Sequence, residues 1–265
     1  MVLLLFILGL FFGSFLGVLV DRLPRGETVI KGRSHCEFCK QELKALDLIP
    51  VLSFLISRGK CRYCHARLPY FYPLIEITTG ILFASTYIFT IFNTQSLIIS
   101  PLSLIMLIYD LIIVSCFIVI FFMDLKYGII LDKILLLLMV AILAYLLIIN
   151  PQSLITSLAC GILAFLFFLI IAFSFRAIRG KDGMGGGDIK LAFVLGLFLG
   201  FPNIVVALYL AFLTAAIAGI ILILWKKKNL KNTSLPFGPF LIAGTLISIF
   251  WGTLITLKIL QLLGI

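Results

Sequence analysis

The stretch Gly183-Met184-Gly185-Gly186-Gly187-Asp188-Ile189-Lys190 decides how the rest of the chain is read. It is a turn nearly free of side chains that ends in a carboxylate and runs straight into an apolar segment. Glycine admits backbone geometries closed to other residues and lets a second backbone come close. A peptide laid against Gly183, Gly185 and Gly187 would therefore meet Asp188 at the end of the turn, with Lys190 beside it. Alone, such a cluster reads as a flexible loop. A second isolated acid, Asp124, closes another apolar run, and carboxylates at or in a membrane are expensive and tied to function.

Outward from that turn, the composition is that of an integral membrane protein. Of 265 residues 63% are hydrophobic, the mean hydropathy is +1.26, and only 12% are charged. That charged share is about half of what a soluble domain carries. In such a chain the net charge of +10 marks the cytoplasmic side and contacts with anionic membrane lipid, not nucleic-acid binding. The expected fold is all-α and polytopic, with about eight transmembrane helices and a small cytoplasmic cysteine-rich, zinc-knuckle-like loop domain. Residues 1–20 form the first helix, 21–73 the loop domain, and 74–265 a membrane domain of seven helices. The remaining helices are expected at 74–92, 102–123, 134–149, 154–175, 189–200, 204–225 and 240–260.

The charges orient this array. No basic residue precedes the first apolar run, Arg22 and Arg25 follow it, and no small-residue cleavage site is present, so it reads as a retained helix with its N-terminus outside. Alternating from there, the cytoplasmic loops are 21–73, 124–133, 176–188 and 226–239. The exterior loops, 93–101, 150–153 and 201–203, hold no Lys or Arg, and of the basic residues only Lys258 falls towards the outside. Asp124 and Asp188 then lie at the same depth, each at the cytoplasmic end of a helix.

The loop 21–73 carries 10 of the 21 basic residues and two CxxC pairs, Cys36/Cys39 and Cys61/Cys64. Four thiolates at this spacing suit tetrahedral zinc, and persistent disulfides are rare on the cytoplasmic side. The loop has little apolar content, so a structural zinc ion would supply much of its folding free energy. His35 and His65 flank the pairs as surface groups; Cys116 and Cys160 lie in apolar runs and read as small packing residues. The loop's excess of basic over acidic residues is modest, and its few aromatics give little for bases to stack on.

Of the eleven acids, Asp21, Glu27, Glu37, Glu42 and Asp47 sit in the basic loop and read as solvated or ion-paired. Asp110 lies 14 residues before Asp124, roughly 20 Å along a helix, and is expected to bond to a neighbouring helix instead. Glu76 lies just inside the second helix, and Asp132 and Asp182 are loop acids near helix ends, Asp132 placed to offset Lys133 or favour a helix N-terminus. Asp124 and Asp188 remain as a candidate pair. Two carboxylates in contact do not both ionise easily, so one holds a proton while the other draws one from water. No GxSxG or HExxH offers another route. The residues alone leave two readings open: aspartic proteolysis, or an ion-coupled transporter in which both acids carry protons.

Several segments together resemble the bacterial type IV prepilin peptidases, membrane aspartic peptidases of the GxGD class. They are GSFLGVLVDRLPRGE (13–27), the cysteine-bearing stretch 32–64, YPLIEITTG (72–80), FFMDLKYGIILD (121–132), GMGGGDIKL (183–191) and PFGPFLIAG (236–244). The resemblance covers essentially the whole chain. It implies cleavage of the short basic leader of prepilins or pseudopilins at the cytoplasmic face of the bacterial inner membrane, with Asp124 and Asp188 catalytic. It also implies N-methylation of the new N-terminus with S-adenosylmethionine, an activity associated with the large loop. Where the family commonly has Pro in the first knuckle, Ile-Pro-Asp after the first catalytic acid, and Arg before the Tyr-Pro pair, this chain has Glu37, Ile130-Leu131-Asp132 and Phe71.

Overall fold

The computed structural model describes residues 1–29, 33–94, 101–180, 184–225 and 236–263. Gly183 lies outside them, as do the basic residues Lys31, Lys181, Lys226, Lys227, Lys228 and Lys231. The fold is helical: α1 (Val2–Arg22), a short α2 (Leu52–Ile56), α3 (Phe71–Thr94), α4 (Pro101–Tyr127), α5 (Asp132–Ile148), α6 (Leu154–Arg179), α7 (Gly186–Leu199), α8 (Asn203–Leu224) and α9 (Gly238–Leu263). Among the described residues there is no sheet, only two isolated β-bridges.

All eight expected helices are present as helices. Five are long and apolar enough to cross a bilayer by themselves: α1, α3, α4, α6 and α8. The 17 residues of α5 and 14 of α7 rise only about 26 and 21 Å at 1.5 Å per residue, against a hydrocarbon core of about 30 Å. The chain is thus a multi-pass membrane protein with at least five helices of spanning length among the described residues.

Two helix ends differ from the expected ones, and both differences concern the key acids. Asp124 was expected to close its helix, but α4 runs a further turn to Tyr127. Polar residues continue the backbone ladder after the apolar pattern stops, until the Gly128 N–H bonds the Asp124 carbonyl at 2.8 Å and Gly128 turns left-handed, with φ +66°. Asp188 was expected before its helix, yet it is the third residue of α7. The glycines themselves enter the helix, because Gly185 serves as its N-cap.

The chain divides into two compact units, Met1–Phe122 and Met123–Ile265. In the first, α1 and α3 pack backbone to backbone. A Cβ on Gly9 would lie 2.7 Å from the Gly80 Cα, and one on Gly13 would lie 2.7 Å from the Glu76 Cα. Small residues permit this approach where lipid supplies no hydrophobic drive for association. The Phe71 ring of α3 meets Phe122 of α4 edge-on at 5.4 Å. Asp110 accepts a hydrogen bond from Thr90 of α3 at 3.1 Å, as its intrahelical position predicts.

In the second unit α6 and α7 meet just as closely, since a Cβ on Gly196 would lie 2.7 Å from the Cys160 carbonyl oxygen. α8 and α9 are joined by Gly244 against the Ala207 carbonyl and by a 2.8 Å bond from the Ser248 hydroxyl to the Asn203 carbonyl. Phe168 of α6, Phe212 of α8 and Phe237 stack as a cluster, with Phe212 and Phe237 centroids 5.1 Å apart. That cluster anchors the residue immediately before α9. Of the two remaining cysteines, Cys116 is buried and Cys160 half-buried.

Candidate active site

The site is assembled in the second unit from the last turn of α4, the first turns of α7 and α9, and the α4–α5 connection. The second half of α4 is buried on nearly every side from Ile113 to Asp124, which fixes the Asp124 carboxylate rigidly. Its Oδ2 accepts the Gly238 N–H at 2.9 Å. Gly238 is the first residue of α9, so a carboxylate sits against the positive end of a helix, where unbonded N–H groups favour negative charge. Nothing larger than glycine fits there, because a Cβ would lie 2.6 Å from the Asp124 Oδ2. The Phe237 cluster holds this glycine in place.

Asp188 is positioned by its own helix. As the N3 residue it reaches back towards the Gly185 N–H, half of a capping box. The two aspartates are close enough for the Asp124 charge to act directly on Asp188. Asp188 Oδ1 is buried with no hydrogen-bond partner among the described residues. A buried carboxylate oxygen left unpaired is destabilising and rare, and it calls for a chemical explanation. Its carboxyl also lies within the field of Asp124, a second carboxylate whose own oxygen is held by a helix N-terminus. Such a pair can draw a proton from water on one side and donate a hydrogen bond from the other.

Ile130 ties these parts together. A Cβ on Gly187 would lie 3.0 Å from the Ile130 Cβ, and one on Gly238 would lie 3.3 Å from its Cδ1. Gly187 therefore serves the packing of α7 on the α4–α5 connection, while Gly185 and Gly186 are the exposed glycines of the turn. Lys190 does not stand free beside the turn. Its Nζ bonds both carboxylate oxygens of Asp132, at 2.8 and 2.9 Å, so Asp132 offsets Lys190 of α7 and not its neighbour Lys133. This pair caps an apolar groove of about 610 Å³ lined by Leu135, Leu136 and Met139 of α5, Ile162 and Phe165 of α6, and Phe193 of α7. Sequence reasoning named Asp124 and Asp188 but missed Gly238 and Ile130. The signal for Gly238 was a glycine between Phe and Pro ahead of an apolar run, the mark of a helix start.

In the first unit the four cysteines converge. The Sγ atoms of Cys36, Cys39, Cys61 and Cys64 all lie within 4.8 Å of one another, and those of Cys36 and Cys64 are 3.9 Å apart. A tetrahedral ion with bonds of about 2.3 Å requires sulfurs about 3.8 Å apart, so the thiols fit a metal such as zinc. The two knuckles repeat one geometry. Lys40 N–H bonds the Cys36 carbonyl and Cys36 N–H the Gln41 carbonyl; His65, Cys61 and Ala66 repeat the pattern, with Lys40 and His65 both at φ 57°. Burial acts to raise the Cys36 pKa, but hydrogen bonds from the Cys39 and Phe38 backbones and the neighbouring thiols bring it down to about 7. At Cys64 the Ala66 backbone lowers it, but burial and the other three thiols outweigh that and raise it to about 11.

Around them, Glu37 pairs with Arg25, Glu42 with Arg33 and Asp47 with Arg62, as expected of acids in a basic loop. Asp21 is not solvated: it is buried and accepts the Tyr72 hydroxyl, because α1 continues past it and α3 covers it.

Residues 7–90 match the bacterial peptidase A24 N-terminal domain and residues 111–224 the type IV leader peptidase family. A prepilin leader peptidase/N-methyltransferase of Bacillus subtilis (strain 168) is 34% identical over 98% of this chain and 99% of its own length. Proteins of the same name from Aeromonas hydrophila and Burkholderia pseudomallei (strain 1026b) are 30% and 29% identical, over 96% and 93% of this chain and 91% and 84% of theirs. No solved structure matches the chain.

Proposed function

The chain belongs to the type IV leader peptidase family, and from that premise we propose that Asp124 and Asp188 are the water-activating dyad of a membrane aspartic endopeptidase. The enzyme removes the basic leader peptide from prepilins or pseudopilins at the cytoplasmic face of the bacterial inner membrane and methylates the new N-terminus. The observation that carries the assignment is the unpaired buried Oδ1 of Asp188, next to an Asp124 whose Oδ2 is held by Gly238.

One carboxylate takes a proton from water as the remaining hydroxide oxygen bonds the scissile carbonyl carbon. The other, protonated, donates a hydrogen bond to the carbonyl oxygen. Collapse breaks the C–N bond, and the amine leaves with a proton from the dyad. The leader backbone lies against Gly183 and Gly185, with Gly187 and Lys190 holding the turn on Ile130 and Asp132. The apolar segment following the cut stays in the bilayer, and the groove capped by Lys190 and Asp132 is the surface it can follow.

The loop 21–73 is a separate cytoplasmic domain whose four cysteines hold a structural zinc ion. S-adenosylmethionine supplies the methyl group in the second reaction. Lipid contacts the exposed apolar helix faces, and nucleic acid has no role. The transporter alternative gains nothing from the site's geometry.

The test is cleavage of a prepilin-like substrate by detergent-purified protein, with and without S-adenosylmethionine, read by mass spectrometry. Loss of the leader, with an added methyl mass only when the donor is present, is expected. Leader loss that persists in Asp188→Asn would overturn the dyad.

A further inference from the structure

The first unit holds out one apolar face that no spanning helix accounts for. In the short α2, Leu52, Leu55 and Ile56 are all exposed, Ile56 at 73%. They stand at i, i+3 and i+4 and so share one side of the helix. Phe54, between them in sequence, turns the other way, and its ring meets that of Tyr70 at 5.5 Å. α2 thus has an inner side fixed to the protein and an outer side of bare aliphatic chains. At five residues it is too short to be a stable helix by itself, so the surrounding fold, not helix propensity, presents that side.

Two contacts set its depth. The N–H of Val51, the N-cap of α2, donates to the Glu76 carboxylate at 2.7 Å. Glu76 lies five residues past the start of α3, about 7.5 Å along the axis, and α3 is of spanning length. The second contact is that of Phe54 with Tyr70, which is 81% exposed and immediately precedes α3. Amphipathic rings in this position sit at the level of the lipid headgroups. α2 therefore begins beside the second turn of a membrane helix, within the polar layer that adds about 5–8 Å to each side of the hydrocarbon.

After α2 the chain reverses through Arg58 and Gly59, left-handed at φ 52° and 69°. Arg58 and Lys60 are exposed, and neither side chain forms an ion pair among the described residues. Two cations within four residues of an apolar face match an anionic lipid surface, where aliphatic chains enter the headgroup–acyl boundary and basic groups meet phosphates. A soluble partner would have to reach this face inside the headgroup layer.

We propose that α2 and the turn after it form an interfacial anchor for anionic phospholipid, with Leu52, Leu55 and Ile56 at the headgroup–acyl boundary and Arg58 and Lys60 on lipid phosphates. The anchor lies in the segment that joins the two cysteine pairs and holds that segment against the bilayer. It stands whether or not the chain cleaves a leader.

The test is fluorescence quenching of full-length protein in proteoliposomes. A genetically encoded fluorophore replaces Leu55, Ile56 or, as a control, Glu42, which is exposed in its pair with Arg33. The native cysteines stay unlabelled, and the two positions in α2 check each other against disturbed folding. A nitroxide on the lipid acyl chain should quench positions 55 and 56 at least twofold more than position 42. Carried on phosphatidylglycerol, the nitroxide should quench position 55 at least twofold more than on phosphatidylcholine at equal mole fraction. Arg58→Gln combined with Lys60→Gln should make the two lipids equal. Quenching at 55 and 56 no greater than at 42 would overturn the anchor and leave its face to a protein partner or a second copy of the chain. Equal quenching by the two lipids in the unmodified protein, or a preference that survives the double substitution, would overturn the phosphate contacts and the proposal with them.

Discussion

Gly238 lacks a side chain because the Asp124 carboxylate occupies the space a Cβ would need. Gly238→Ala therefore pushes on Oδ2 and breaks the 2.9 Å hydrogen bond that aims it. Misplacing a reacting group by about 1 Å costs on the order of 100-fold in rate, so kcat for leader cleavage should fall by about that factor while the protein still inserts. Single-turnover cleavage checks this, and a normal rate would show that Asp124 does not need the α9 N-terminus. Asp124→Asn and Asp188→Asn remove the proton-transfer groups themselves and should each lose about 10²–10⁴-fold or more. The two acids were legible in the sequence because one follows an apolar run and the other opens one after a glycine turn. Gly238 was not, since its contact with Asp124 spans 114 residues and pairing between helix ends leaves no local pattern. Ile130 was hidden for the same reason, being an ordinary apolar residue in an apolar chain.

Between elements, two contacts of α7 should differ in energy by their physics. The Lys190–Asp132 pair joins α7 to α5, but its side chains are 55% and 71% exposed. An exposed pair is worth about 0–1 kcal/mol, so Asp132→Asn should scarcely change the unfolding midpoint in detergent. Gly196→Leu forces a side chain into the Cys160 carbonyl, and overpacking of this kind costs about 1–3 kcal/mol. Thermal unfolding of both variants decides it; equal shifts would mean that the α6–α7 seam yields. The cysteine knuckles make a separate prediction. With the Cys64 thiol raised to about 11 and Cys36 at about 7, a divalent ion must displace at least the Cys64 proton at pH 8. Zinc uptake should release protons and weaken as pH falls below about 7, where Cys36 also protonates. Calorimetry in two buffers of different ionisation enthalpy measures the proton count. The CxxC spacing made the four ligands readable, whereas the left-handed Lys40 and His65 that repeat the knuckle carry no glycine to announce them.

For the whole molecule, the proposed leader cleavage requires that both aspartates face the cytoplasm, and this depends on how many helices cross. Five are long and apolar enough to do so. If α5 and α7 cross as well, the connections at Asn150 and Phe201 lie outside, while Lys126 and the cysteine loop lie inside. A helix of 14 residues is shorter than the hydrocarbon, but mismatch is relieved by local thinning at a fraction of a kcal/mol per Å. The six apolar residues from Leu191 to Leu197 that are buried in α7 also show that protein, not lipid, surrounds it. A membrane-impermeant maleimide on intact cells tests the arrangement. Asn150→Cys and Phe201→Cys should react, Phe201 being 77% exposed, and Lys126→Cys should react only after permeabilisation. The native thiols Cys39 and Cys64, freed of zinc by a membrane-permeant chelator, act as an internal control, silent in intact cells if their loop is cytoplasmic. Labelling at Asn150 but not at Phe201 would mean that α7 enters and does not cross, which would put α8 in the opposite sense and leave the orientation of α9 reversed. Labelling of the native thiols in intact cells would invert the whole array, and with it exclude a leader cleaved at the cytoplasmic face.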